Sequence, residues 1–290
     1  MTGENIWKRK ENAMNRREWV AYGQEMLEKE GIENASGEAW YLFSECLGVS
    51  REDYLFGMTE EVTDVSGLQK YQEMLQKRAK ERCPLQYLLG TQEFMGYSFL
   101  VNPDVLIPRA DTETVLEEVM ATGIRPETIL DLCTGSGCIA VSLALLMKPR
   151  LCIGTDISPR ALDVAKANGK KLCPMVEFVE SDLFEQVEGT FDLIISNPPY
   201  IKTEECRELM PEVRDHEPML ALDGREDGLY FYRKIIKEAP GYLNPGGMLA
   251  FEIGYDQGEA VKGMMLKQGF HSVETRKDLA GLDRLVFGNK

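Results

Sequence analysis

The chain has 290 residues, 43% of them hydrophobic, and sets 48 Asp and Glu against 33 Lys and Arg for a formal net charge of −15. With 12 basic and 16 acidic side chains in residues 1–85 and 21 and 32 in the remainder, no segment is a basic domain, which argues against bare DNA or RNA as a direct partner. Two histidines, His216 and His271, exclude a His-rich metal site and lend little support to a Ser/His triad, and seven irregularly spaced cysteines read as free thiols.

Residues 1–14 are polar and charged and predict a frayed tail. They lack the apolar core of a signal peptide, and no run of about 18 apolar residues follows, so a cytoplasmic protein without a membrane span is expected. From Asn15 the apolar spacing is helical. Trp19, Tyr22 and Met26 share one stripe of a helix ending at Gly31, and Ser36 opens a second helix carrying Trp40, Phe43 and Leu47 before Gly48. Ser50 with Asp53 reads as a capping box for a short third helix, and a fourth runs from about Val65 to Glu81 with Leu68, Tyr71 and Leu75 facing inward. The three tryptophans, Trp7, Trp19 and Trp40, all fall in this helical part, either as its core or as a partner-binding surface.

Cys83-Pro84 breaks the helical pattern, and Gln86 to Val101 holds two β-prone stretches around Gly96, which predicts a hairpin linker. Val105-Leu106-Ile107-Pro108-Arg109 then leads to a helix from Asp111 or Thr112 to Thr122. Strands are predicted at Thr128–Leu132, Leu151–Thr155, Val176–Glu180, Asp192–Ser196 and Met248–Ile253, with helices near 138–147, 159–168, 225–239 and 256–268. This alternation is that of a doubly wound α/β sheet, and Ser272–Thr275 with Arg284–Phe287 suggests a terminal antiparallel strand pair.

Three strand ends carry chemistry. After the first strand, Cys133-Thr134-Gly135-Ser136-Gly137 is a glycine turn into a helix, where the backbone approaches a ligand and unpaired N–H groups point at it. The loop alone does not choose a cofactor, because Gly135-x-Gly137-x-x-Ala140 also meets the looser dinucleotide fingerprint of a dehydrogenase. Asp156 ends the second strand, where a carboxylate accepts from both hydroxyls of a ribose, and Asp182 with Leu183 ends the third, within reach of an adenine amino group; each acid also suits a helix N-cap. No Gly-Lys-Ser/Thr follows, which disfavours a triphosphate.

The fourth strand stops at Asn197-Pro198-Pro199-Tyr200. Its prolines lack N–H groups and have fixed φ, so they present carbonyl oxygens without competing donors and make a rigid acceptor site. With the glycine loop, Asp156 and Asp182, this quartet resembles the S-adenosyl-L-methionine-dependent methyltransferases that modify planar amino groups, nucleic-acid adenine and cytosine methyltransferases among them.

Pro84-Leu-Gln86-Tyr87-Leu-Leu-Gly90, Glu93-Phe94-Met-Gly96, Val105-Leu-Ile-Pro108-Arg109-Ala-Asp-Thr-Glu113 and Glu217-Pro218-Met-Leu-Ala-Leu-Asp-Gly224-Arg-Glu-Asp-Gly228-Leu narrow the likeness. Over nearly the whole chain they resemble the release-factor glutamine methyltransferases, the HemK/PrmC family. The resemblance implies a Rossmann-like methyltransferase domain over 108–290, a hairpin linker over 85–107 and a helical substrate-recognition domain over 1–84. It further implies methylation of the side-chain nitrogen of the glutamine in the Gly-Gly-Gln loop of peptide chain release factors. Cys133, Thr134, Gly135, Ser136, Gly137 and Asp156 would hold the cofactor, Asp182 and Leu183 would border adenine, and Asn197, Pro198, Pro199 and Tyr200 would hold the glutamine, with Asn197 also beside the cofactor and Asn197, Pro198 and Tyr200 serving catalysis. Cys133 stands where the family usually has Gly, Ala110-Asp111 where it has Pro-Glu, and Leu183 where some members have Trp. A nucleic-acid amino-methyltransferase and a non-catalytic nucleoside-binding protein are the alternatives; the first would call for a basic cleft or domain and the second leaves the Asn-Pro-Pro-Tyr site without a purpose.

Overall fold

A computed structural model describes residues 14–290, and within them the chain divides into two units that part between Leu89 and Gly90. Of the predicted tail only Met14 is described, and it is buried in the helical core; Trp7 lies outside the described residues.

The first unit is helical. Helix α1 (Arg16–Lys29) opens on a capping box, in which the Asn15 side chain accepts from the Glu18 N–H at 3.0 Å and the Glu18 carboxylate accepts from the Asn15 N–H at 2.9 Å. Its buried stripe is Trp19, Gly23 and Leu27, with Tyr22 and Met26 half-buried beside it. Gly23 is needed there because a Cβ would lie 2.0 Å from the Tyr71 hydroxyl. Helix α2 (Ala35–Leu47) begins one residue before Ser36, since Ala35 is already packed in the core and no side-chain cap is made. At α3 (Arg51–Phe56) the expected capping box forms by half: Ser50 Oγ accepts from the Asp53 N–H at 3.1 Å, but the Asp53 carboxylate accepts the Ser50 hydroxyl proton at 2.6 Å. Helix α4 (Val65–Lys80) buries Leu68, Tyr71 and Leu75, and Tyr71 meets Phe43 edge to face at 5.5 Å between ring centroids. The segment from Leu85 to Leu89, predicted as part of the hairpin, is instead a short helix α5; leucine and glutamine are good helix formers, and the leucines pack on the helical core.

The second unit begins with the hairpin of β1 (Thr91–Phe94) and β2 (Tyr97–Leu100), turning at Met95-Gly96 with both residues left-handed at φ 52° and 77°. Phe94 and Phe99 are buried in one of the two sheet cores. Helix α6 (Ala110–Ala121) precedes the doubly wound sheet of β3 (Thr128–Leu132), β4 (Leu151–Asp156), β5 (Glu177–Glu180), β6 (Phe191–Ser196), β7 (Leu243–Glu252), β8 (His271–Lys277) and β9 (Asp283–Asn289), connected by α7 (Cys138–Met147), α8 (Pro159–Leu172), a one-turn α9 (Pro211–Arg214), α10 (Tyr230–Tyr242) and α11 (Gly258–Gln268). The strand order is β5-β4-β3-β6-β7-β9-β8, parallel through β7, and β9 pairs antiparallel with both β7 and β8 as the terminal pair. Alternate residues feed two cores: Ile129, Leu193 and Ile195 face one side of the sheet, Leu130, Leu132 and Ile194 the other. The helix expected over 225–239 starts later, at Tyr230, because Arg225 and Gly228 take left-handed conformations at φ 73° and 72°; it runs past Pro240 to Tyr242.

Asn168, fully buried on α8, ties the hairpin to the glycine loop. Its side chain accepts from the Leu100 N–H at 2.7 Å and donates to the Leu100 and Ser136 carbonyls at 3.0 and 2.9 Å. Asn168→Ala leaves these backbone groups unpaired and is expected to cost roughly 3 kcal/mol, read from the midpoint of urea unfolding. A loss below about 0.5 kcal/mol would show that water replaces the clip.

Candidate active site

The parallel strands end in line. Leu132 of β3 pairs with Thr155 of β4 and Ser196 of β6, Ser196 pairs with Phe251 of β7, and Asp156 pairs with Glu180 of β5. Residues that follow these ends surround a cleft at the point where the strand order reverses between β3 and β6, the usual ligand position in an open α/β sheet.

Cys133, Thr134, Gly135, Ser136, Asp156, Asp182, Leu183, Asn197 and Pro199 all line this cleft. Gly137 caps α7 from a left-handed conformation, and a Cβ there would lie 3.0 Å from the Phe178 ring. Pro198 is buried behind the wall, and Tyr200 is half-buried with its ring against the second core. The glycine loop is held from three sides. The Thr134 N–H donates to the Thr155 carbonyl at 2.9 Å, the Gly135 N–H donates to the Asp156 carboxylate at 2.9 Å, and the Ser136 carbonyl accepts from Asn168. Nothing lies within 4 Å of a Cβ built on Gly135, so a ligand can approach the backbone there. Cys133 takes φ 60°, the left-handed conformation that the glycine usual in the resembled family adopts freely and that costs a side-chain-bearing residue roughly 1 kcal/mol. Leu183 is left-handed too, at φ 52°.

Asp156 is not the cap of the following helix. Ser158 is, accepting from the Ala161 N–H at 3.2 Å with Pro159 in the first turn. Each Asp156 oxygen accepts one backbone N–H, from Gly135 and from Ser158, and burial raises its pKa despite those bonds. A carboxylate has about four acceptor sites, so capacity for further donors remains. Asp182 sits 3.9 Å from Lys234 Nζ, whose ammonium lies 5.4 Å over the Tyr230 ring; both Lys234 and Tyr230 line the cleft and escaped the sequence reading.

The segment after Asn197 is fixed from below. Gln257 Nε2 donates to the Tyr200 carbonyl at 2.9 Å, the Ile201 N–H donates to Leu222 at 3.0 Å, and Gly224 lies so close that a Cβ would be 2.7 Å from Tyr200 Cα. Arg109 pairs with the buried Glu217, whose pKa burial raises against the opposing pull of the guanidinium.

Two buried acids in strands also escaped the sequence reading. Asp131 accepts the Thr134 hydroxyl proton at 2.6 Å and the Ala140 N–H at 3.1 Å through one oxygen, leaving the other without a partner, and burial pushes its pKa to about 7. Glu252, 2% exposed at the end of β7, accepts from Thr112 Oγ1 at 2.6 Å and is likewise pushed by burial to about 7. Among the described residues no group of His, Cys, Asp and Glu is arranged to hold a metal ion, and no helix is long and apolar enough to cross a membrane.

Residues 18–90 match the family model described as the PrmC N-terminal domain, and residues 110–213 match the methyltransferase small domain. A release factor glutamine methyltransferase of Geobacter sulfurreducens is 44% identical, over 90% of this chain and 92% of its own. One of Bacillus cereus is 39% identical over 93% and 97% of the two chains. Among solved structures, a methyltransferase from Pyrococcus furiosus shares the fold with a TM-score of 0.51 at 19% identity, over 68% of this chain and 90% of that one.

The raised carboxyl pKa values give a pH dependence. An unfolded carboxyl titrates near about 4, so between about pH 4 and the folded value of about 7 the native state holds protons that the unfolded state has lost, and stability falls as pH rises through that window. Asp131→Asn is expected to make the fall in melting temperature between pH 5 and 7 shallower than in the wild type. Equal slopes would mean that Asp131 does not carry this proton.

Proposed function

The chain belongs to the release factor glutamine methyltransferase family and is a methyltransferase, and on that premise we propose how the cleft works. Its donor would be S-adenosyl-L-methionine and its acceptor the side-chain amide nitrogen of the glutamine in the Gly-Gly-Gln loop of peptide chain release factors. The observation that carries this reading is that Asn197 faces the same cleft as Asp156 and the open glycine loop.

The cleft has features suited to the cofactor. The backbone is open to approach at Gly135, Asp156 retains acceptor capacity for two ribose hydroxyls, and Leu183 and Ile157 offer apolar wall for a base whose amino group could donate to Asp182. When bound, the cofactor supplies an activated methyl group. The chain's own residues prepare the other partner. A carboxamide nitrogen is a poor nucleophile because its lone pair is delocalised into the carbonyl. Asn197 Oδ1 and the Pro198 carbonyl would each accept one N–H of the substrate amide, fixing the direction of its nitrogen. As that nitrogen gains positive charge both bonds strengthen, which stabilises the transition state more than the bound substrate. The proton becomes acidic as charge develops and can leave afterwards, so no strong base is required. Tyr200 would stiffen the wall beside the amide, and the helical domain over 1–84 would recognise the protein around the glutamine.

The direct test is incubation with labelled S-adenosyl-L-methionine and a release factor, followed by mapping of the labelled residue; label on any residue other than the glutamine would overturn the reading. Asp156→Ala should weaken cofactor binding by about 1.5–3 kcal/mol in a calorimetric titration, and an unchanged dissociation constant would remove Asp156 from the site. Asn197→Ala should lower kcat by roughly 10²–10³ while cofactor affinity barely changes. Weakened cofactor binding with turnover of the bound complex preserved would contradict that role.

A further inference from the structure

Behind Asn197 lies a buried polar group that the reaction above leaves unused. Glu252 ends β7 directly after the Phe251 that pairs with Ser196, so it lies beside Asn197 where the two strands finish. Thr112, 2% exposed in the first turn of α6, donates its hydroxyl proton to Glu252 Oε2 at 2.6 Å, and Thr112 Oγ1 in turn accepts from Asn197 Nδ2 at 3.4 Å. A threonine hydroxyl has one proton. Once that proton is given to the carboxyl, Thr112 Oγ1 faces Asn197 only as an acceptor and selects its NH₂ end. The two ends of an asparagine amide are nearly isosteric, so such a network decides which way the amide is turned.

We propose that Glu252 and Thr112 are positioning residues that hold the Asn197 amide in one orientation, with Nδ2 tied to the protein and Oδ1 presented to the substrate. This rests on the reading of Asn197 as the acceptor for the substrate amide. Turned the other way, Asn197 would offer N–H groups to the N–H groups of the glutamine and would instead bind its carbonyl oxygen, so the pair also sets which atom of the substrate is presented for methylation. Other charges near Glu252 are already engaged: Arg284, from β9, is bound by Asp278 at 3.0 Å and by Asp111 of α6 at 3.2 Å. Tyr232, from α10, turns its hydroxyl to the Glu252 backbone carbonyl at 2.9 Å.

The test uses the full-length enzyme with a release factor, measuring kcat, KM and cofactor affinity. Thr112→Val keeps the shape and removes the hydroxyl; it and Glu252→Ala should lower kcat about ten- to hundredfold with cofactor affinity unchanged. Thr112→Ser, which restores the hydroxyl, should recover most of the rate. Asn197→Ala combined with Glu252→Ala should be no slower than Asn197→Ala alone, because an orientation has no effect once the amide is gone. Wild-type kcat in Thr112→Val, or a double-variant loss equal to the product of the single losses, would overturn the positioning role while leaving Asn197 as the acceptor. Full activity of Asn197→Ala would overturn both readings.

Discussion

The register of the parallel ladder is the constraint on which the site depends. Because β3, β4, β6 and β7 finish level with one another, the residues that leave them emerge side by side although they are far apart in sequence. A slip of one residue in any of these strands would turn its terminal side chains to the opposite face of the sheet and dismantle the cleft. Branched aliphatic residues facing both cores hold that register, so the packing that folds the sheet also aligns the chemistry.

Acids gathered beneath the cleft give it a second common property. Asp131 and Asp156 are supplied with N–H and O–H donors in place of cations, and Glu252 sits close behind Asn197. Burial makes each of these carboxyls harder to ionise, yet all of them favour positive charge nearby. In a chain with a net charge of −15, this local arrangement suits a cationic ligand better than a polyphosphate.

Much of this was legible in the sequence for identifiable reasons. Short aliphatic runs alternating with helical spacing announced the doubly wound sheet, and Gly135, Asp156 and Asn197 stood out because each interrupts an apolar strand end with a residue of distinct chemistry. Asp131 and Glu252 were hidden because each reads as one polar residue in an apolar strand, and their burial follows from sheet order, which periodicity does not specify. Thr112 looked like an ordinary first-turn residue, and Asn168 like any polar position on a helix; their partners lie 140 and 68 residues away in the chain. Leu85 to Leu89 reads as extended only by its place before the hairpin; its leucines and glutamine are good helix formers, and the turn they make is settled by packing on the helical core.

The two outer strands of the sheet set a limit on how a polypeptide can meet it. At one edge β5 has only four residues and begins and ends with an exposed glutamate. At the other, β8 carries Glu274, Arg276 and Lys277, and its pairing with β9 is broken by irregularities at both ends. Short length, charge and uneven register are how sheets avoid templating another strand. Capture of an extended peptide by strand addition, a recurring mode of recognition, is therefore disfavoured at either edge, and a visiting loop is left to meet the sheet end-on.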